Sequence, residues 1–361
     1  MNPLIDFTKL IRNCNVEPRY FFRAFRYYFK FAFFEPFRWY ENIFYKEGYK
    51  YYDIPPEKEP VFILGYYRSG TTHLQEVLLQ DNRFSYLNFF KCYFPTAFNS
   101  SEFIFFDLFN FIIQTTGFIH PAHNIPFKFD LPAEEDVAMV ASGSRLAANW
   151  GNVFPGHFKE FFNKTVFFET CTKEEREEFE NELFFLFKRT YIHNNFKQLL
   201  LKSPPQTARI KMLYNKYPNA KFIFIRRNPY EVYKSNIKLW KSFEGQHLHG
   251  HSKEMVQDAI FWSYNKTHEY YEKDKHIVPE NQLVELSFEN FVTDPLSSLE
   301  NIYKKINLDT FEESLPNFKK YLDLKHGGKR IASYNYSEDE ISAVNSNMGK
   351  WIDYWSYKKL N

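Results

Sequence analysis

Along the chain, short runs of uniformly apolar residues alternate with turns and with segments whose apolar positions recur at helical spacing. Val61 to Leu64 is one such run, and a Gly-bounded loop follows it. Leu74, Val77 and Leu78 then share one helix face, so residues 60–81 predict strand, loop, helix. A second short strand is predicted just before Lys202. Ser203-Pro-Pro-Gln after it has the form of a capping box, and Ile210, Leu213, Tyr214 and Tyr217 continue a helix. Phe222 to Ile225 predicts a third strand, ending in Arg226 and Arg227. There Asn228 caps the next helix, Pro229 takes its first position and Glu231 completes a capping pattern. Thr172 opens another box, ahead of Phe179, Leu183 and Phe187, for a helix packed on the core. These elements predict an α/β fold, a P-loop-like parallel sheet flanked by helices.

The N-terminal pattern differs. Arg19, Arg23, Arg26 and Lys30 form one helical stripe, with Phe21, Phe22, Phe25, Tyr28 and Phe29 on the remaining faces, and Pro36 is predicted to end the helix. Two readings stay open: a helix packed by its rings with its arginines reaching solvent, or an interfacial helix on an anionic bilayer that forms a lipophilic entry lip. Residues 1–48 are assigned to this aromatic and basic helical segment, packed on a main domain, and residues 49–361 to one large domain. Neither a repeat nor a linker is visible.

Composition sharpens the aromatic theme. The 361 residues include 43 Phe, 26 Tyr and 6 Trp, 21% of the chain, so much of the apolar surface is carried by rings. A net charge of +2 supplies no long-range field, which argues against nucleic acid as the partner and confines any anion site to a local cluster. Cys14, Cys92 and Cys171 lack paired spacing, so neither a disulfide framework nor a zinc cluster is expected, and a reducing, cytoplasmic compartment is the default. The first 20 residues lack the apolar core of a signal peptide, and no stretch has the ~18 apolar residues of a spanning helix.

Gly65 and Gly70 have the separation of a phosphate loop, in which backbone amides and a helix N-terminus cradle an anion. A nucleotide triphosphatase needs Lys at position 71 and a magnesium-binding hydroxyl after it. This chain has Thr71 and Thr72, with its cation moved into the loop as Arg68, so ATP hydrolysis is not expected. Where a magnesium nucleotidase would end a second strand in a carboxylate, Arg226 and Arg227 offer the opposite sign. Lys202 adds a third cationic strand tip, and open parallel sheets bind ligands at the carboxyl ends of their strands. His247, His249 and His251 alternate, but Gly245 and Gly250 bound them, so they read as a loop without a metal.

The blocks PVFILGYYRSGTTHL, LLLKSPPQTARI and FIFIRRNPYEVYKS, in this order and approximate spacing, resemble the sulfotransferases that use 3′-phosphoadenosine 5′-phosphosulfate (PAPS), and in particular the bacterial-type branch. The resemblance runs from about residue 36 to the end and includes DLPAEEDVAMV and LVELSFENFVTDPLSSLENIY. It implies that Arg68, Ser69, Gly70, Thr71 and Thr72 hold the 5′-phosphosulfate, that Arg227 and Ser235 hold the 3′-phosphate, and that His73 stacks near the adenine. Gly349-Lys350-Trp351 is similar to a family Gly-x-Trp segment. The basic residues usually upstream are replaced by Asn345, Ser346 and Asn347, leaving Lys350, or Lys329 and Arg330, as the third phosphate contact.

Sulfuryl transfer requires in-line geometry, stabilisation of the leaving oxygen and a base, but no metal. Lys202, Arg68 and Thr71 are the candidates for the first two tasks. For the base, Glu134 comes first among Glu134, Glu135 and Asp136, where crowding favours one raised carboxyl, with His123 and His73 behind it; the competing reading is an acidic helix start. The ring-rich N-terminus and residues 89–118 favour a small lipophilic hydroxyl acceptor such as a sterol or other lipid, with carbohydrate as runner-up. Outside the class stand a phosphate-loop kinase and a non-catalytic nucleotide-binding module.

Overall fold

The computed structural model describes residues 2–119, 126–326 and 334–361. It divides into two compact units. One comprises Met1–Lys58, Tyr86–Leu199 and Leu239–Val256, the other Glu59–Ser85, Leu200–Lys238 and Gln257–Asn361.

The first unit is built of helices: α1 (Pro3–Cys14), α2 (Phe21–Phe44), α4 (Phe89–Tyr93), α5 (Phe98–Thr116), α6 (Glu135–Ala141), α7 (Trp150–Val153), α8 (Phe158–Thr165) and α9 (Lys173–His193). Asn2 caps α1 by accepting from the amides of Leu4 and Ile5, and Thr172 and Glu175 close the expected capping box on α9. Phe7 of α1 is fully buried against Tyr27, Tyr28, Phe31 and Trp150, with ring centroids 5.1–5.6 Å apart. Glu41 of α2 is buried with Arg189 of α9 as an ion pair and also accepts from the Ser100 amide at 2.8 Å, which pins α2 to α5 and α9.

Pro36 lies inside α2 rather than at its end. Burial of Phe31 and Phe34 on one side of it and the Glu41 anchor on the other outweigh the loss of one amide donor. The basic stripe is partly solvated, with Arg19 and Arg26 exposed and Arg23 and Lys30 half-buried. Arg23 donates to the carbonyls of Glu244 and His247, Arg26 to that of Gly245, and Lys30 to that of Ala141, because these chain ends need donors. Burial pushes the Lys30 amine down to about 8. The 247–251 loop is tied down: His247 lies 3.1 Å from His251 through their Nδ1 atoms, and His249 bonds the Asn15 carbonyl at 2.7 Å.

The second unit carries the sheet, with β1 (Val61–Leu64), β2 (Phe84–Ser85), β3 (Gln198–Lys202, its first two residues counted in the other unit), β4 (Lys221–Arg226) and β5 (Leu283–Ser287) in the order β2-β3-β1-β4-β5. β1 runs parallel to both β3 and β4, and β4 parallel to β5. Its helices are α3 (Thr71–Leu78), α10 (Ile210–Lys216), α13 (Phe288–Thr293), α14 (Pro295–Lys305), α15 (Phe311–His326) and α16 (Glu338–Tyr354), while α11 (Pro229–Ser242) and α12 (Lys253–Asp274) begin or end in the other unit. Every residue of β1 is at most 1% exposed, the environment that an unbroken apolar run requires in a parallel sheet. Leu74, Val77 and Leu78 of α3 pack into the same core as Val61, Ile63, Ile223, Ile225 and Phe291.

Two caps differ from the sequence reading. Ser203 makes no side-chain cap; its carbonyl accepts from the Gln206 amide at 2.9 Å, which tightens Pro204–Arg209 into a 3-10 turn. Asn228 caps α11 through the Tyr230 amide, but its own amide goes to Glu289 at 2.9 Å rather than to Glu231.

His268 on α12 is 1% exposed among Tyr66, Tyr264, Phe224, Trp351 and Trp355, and its Nδ1 donates to the Tyr264 carbonyl at 2.8 Å. Burial lowers its pKa to about 3. Below pH ~6.5 the unfolded chain therefore binds a proton that the folded chain refuses, and stability is lost as pH falls from 6.5 toward 3 at about 1.4 kcal/mol per pH unit. Urea denaturation across that window should show the slope, and His268→Phe should flatten it.

Candidate functional site

The loop after β1 closes on itself, the Ser69 amide donating to the Tyr66 carbonyl at 3.1 Å, and delivers the chain into α3. Gly65 has φ +152°, and a Cβ there would stand 2.5 Å from the Ile225 carbonyl oxygen. Gly70 has φ +94°, and a Cβ would meet the Phe288 ring at 2.2 Å. Both positions therefore require glycine. Arg68 takes a left-handed conformation at φ +69°, a strain on the order of 1 kcal/mol for a side-chain-bearing residue.

That strain is held by bonds on both sides of the residue. Arg68 Nε donates to Ser235 Oγ at 2.8 Å, and the Arg68 carbonyl accepts from Arg227 Nη1 at 3.3 Å. Arg227 is 9% exposed and lies over the Phe288 ring at 4.6 Å; its Nη2 meets Glu231 at 3.2 Å, and Glu231 in turn accepts from the Tyr336 hydroxyl at 2.6 Å. Asn236 reaches back to the Tyr67 carbonyl at 3.0 Å, so α11 braces the loop at two points. Lys202 is 3% exposed at the end of β3, in register with Ile63, and Arg226 ends β4 with its Nε buried and without a hydrogen-bond partner among the described residues.

Ser69, Thr71 and Ser235 are buried, Thr72 is half-buried, and His73 stands 5.4 Å from the Phe291 ring. Thus Arg68, Arg227 and Ser235 are brought into one cluster at the loop that carries Ser69 to His73. Lys350 lies elsewhere on α16, in an exposed pair with Glu269 at 3.1 Å. Glu134 belongs to the first unit as the N-cap of α6, its carbonyl accepting from Cys92 Sγ at 3.3 Å, and Glu135 and Asp136 beside it are buried. His123, Lys329 and Arg330 lie outside the described residues.

Three residues that the sequence reading passed over hold this arrangement together. Thr207 Oγ1 accepts from the Gly65 amide at 2.7 Å, Glu289 receives the Asn228 amide, and Tyr336 restrains Glu231. A hydroxyl five residues past a strand end was the available sign for Thr207. Glu289 and Tyr336 are too distant in sequence to show one. Chemically, the cluster offers guanidinium forks, a buried hydroxyl and the amides of an α-helix start, a set suited to an anion bearing more than one phosphate-like group.

A family model described as the sulfotransferase family matches residues 60–313, which include the loop, Lys202, Arg227 and Ser235. The chain belongs to the sulfotransferase family. Among relatives, this sulfotransferase is 28% identical over 305 residues to the omega-hydroxy-beta-dihydromenaquinone-9 sulfotransferase Stf3 of Mycobacterium bovis and of Mycobacterium tuberculosis, covering 83% of this chain and 76% of each relative. The crystal structure of sulfotransferase STF9 from Mycobacterium avium matches with a TM-score of 0.68 at 17% identity, over 89% of this chain and 82% of that one. Sulfotransferase STF1 from Mycobacterium tuberculosis matches with a TM-score of 0.64 at 13% identity, over 90% and 85%. At those identities the structural likeness speaks to the fold, which is the sulfotransferase fold.

Thr207→Val in this sulfotransferase should orphan the buried Gly65 amide and cost about 1–3 kcal/mol. Thermal denaturation would show the loss, and Thr207→Ser should recover most of it.

Proposed function

We propose that the enzyme moves the sulfuryl group of PAPS to the hydroxyl of a lipophilic alcohol, releasing 3′,5′-ADP. The observation that carries the donor assignment is the Arg68–Ser235–Arg227 cluster set against the Gly65–Gly70 loop, two adjacent anion-binding groups for a donor with a 5′-phosphosulfate and a 3′-phosphate. In this reading the loop from Arg68 to Thr72 holds the phosphosulfate, Arg227 and Ser235 hold the 3′-phosphate, and His73 lies against the adenine. The buried Arg226 Nε and the two glycine positions, which leave backbone open to a close-approaching oxyanion, support the fit.

Chemistry then falls to a few side chains. Lys202, with Arg68 and the Thr71 hydroxyl, neutralises the charge that develops on the leaving phosphate oxygen. Glu134 is our candidate base for the acceptor proton, on the strength of its motif. No metal has a role in this scheme. The relative's lipid hydroxyl substrate supports a lipid alcohol over a carbohydrate. Cys14, Cys92 and Cys171 are free thiols, which suits the expected reducing, cytoplasmic compartment.

Calorimetry tests the donor. 3′,5′-ADP should bind with EDTA present and ATP with magnesium should not compete, while Arg227→Lys, which loses the planar fork, should weaken binding about tenfold. Absence of heat with 3′,5′-ADP would sink the assignment. Glu134→Gln should lower kcat toward a lipid alcohol by about 10²–10⁴ with 3′,5′-ADP affinity unchanged, and undiminished turnover removes Glu134 from the base role.

A further inference from the structure

Helix α2 inverts the usual amphipathic arrangement. Each of its six charged side chains is engaged by the protein: Arg23, Arg26 and Lys30 on carbonyls, Glu35 with Arg38, and Glu41 with Arg189. Its rings face out instead, among them Phe22 at 76% exposure, Phe25, Phe29, Phe33 and Trp39. Phe33, Phe34 and Phe37 pack on Phe105 of α5, which joins this face to a second exposed row on that helix, Ile104, Leu108 and Ile112. Fourteen exposed large apolar side chains lie on these two helices. At roughly half exposure they present on the order of 1,000 Å² of apolar surface, well beyond the few hundred that a soluble monomer leaves uncovered.

We propose that this two-helix face docks in the plane of a lipid bilayer. The proposal rests on the lipid-acceptor reading only for its purpose, since a greasy alcohol resides in that bilayer. The choice of occupant follows from chemistry on the face itself. Arg23 and Lys30 of α2 are spent on carbonyls of the protein, and the exposed charge left beside its rings is the cation Arg26, which suits an anionic headgroup. A helix from a second copy would need regular knobs along the seam, but Pro36 interrupts it midway. Trp39 and Tyr40 are exposed toward the C-terminal end of α2, and such rings, apolar with a polar edge, suit headgroup level. Exposed Arg12 and Lys46 in the same N-terminal segment complement anionic headgroups, while Arg19 and Lys50 are paired with Glu17 and Glu47. Asp107, exposed on α5 between Phe103 and Phe111, limits the depth to that level. No helix among the described residues is long and apolar enough to cross a membrane, so the contact lies along the surface.

Co-sedimentation of the full chain with phosphatidylcholine vesicles, with and without phosphatidylglycerol, tests the docking. The wild type should pellet, more strongly with the anionic lipid. The variant Phe25→Gln/Phe29→Gln/Phe111→Gln, whose positions are exposed, should partition about tenfold less or weaker. Should that variant misfold, brominated lipid should quench the wild-type tryptophan fluorescence more than that of Trp39→Phe. A wild type that stays in solution, a folded triple variant that pellets equally, equal quenching in Trp39→Phe, or a lipid-free dimer that the triple variant dissolves would each overturn the proposal. Vesicle binding without sulfation of any lipid alcohol keeps the docking face and removes the acceptor reading. Sulfation of a detergent-presented lipid alcohol without vesicle binding does the reverse.

Discussion

Parallel pairing of β1 with both β3 and β4 is the constraint on which the site depends. The registers Ile63–Lys202 and Leu64–Phe224 bring the carboxyl ends of all three strands to one edge. The loop after Leu64 must turn against the Ile225 carbonyl, which leaves no room for a Cβ at Gly65, and the freed amide needs a buried acceptor, which Thr207 supplies. Lys202, Arg226 and Arg227 then lie at the carboxyl ends of their strands because the sheet is parallel, with β1 between β3 and β4.

A buried cation is costly when it is unpaired. Glu231 offsets this at Arg227, and Phe288 offers its ring face. Tyr336 fixes the Glu231 carboxylate, and burial, with the same contact second, pushes the Tyr336 phenol well above its ordinary pKa. Arg227 thus reaches its position already oriented, with one nitrogen on the Arg68 carbonyl and another on a carboxylate. In the proposed reading, a cation oriented in advance would lose little entropy on meeting a phosphate.

Much of this was legible in the sequence because the informative residues are local. Val61 to Leu64 and Phe222 to Ile225 are unbroken apolar runs of strand length, ended by Gly65 in the first and by Arg226 and Arg227 in the second, which suits a buried parallel strand. Gly65 and Gly70 sit where the turn after β1 has positive φ and no room for a Cβ, which their spacing in the sequence already marked as a tight loop. The two-residue β2 has no periodicity, and β5 alternates as LVELS, a weaker signal. Capping failed where a distant group won: Glu289 took the Asn228 amide, and Arg227 claimed Glu231. Pro36 misled for the same reason, since side-chain anchors far along the chain outweighed one missing amide.

The rings divide in a way that composition alone could not show. Phe7, Phe31, Phe90 and Phe98 fill the helical unit, while Phe22, Phe25 and Phe29 leave it. Inward bonds by Arg23, Arg26 and Lys30 contribute about 1–3 kcal/mol each at most. Nine of the fourteen exposed apolar side chains are on α2, and their share of the two-helix area, on the order of 600 Å², represents at ~25 cal/mol per Å² roughly 15 kcal/mol when it is withdrawn from water. The orientation of α2 therefore forgoes, in the isolated chain, more than its charges recover. A helix so placed is adapted to surroundings outside the fold, and its aromatic face measures what those surroundings must supply.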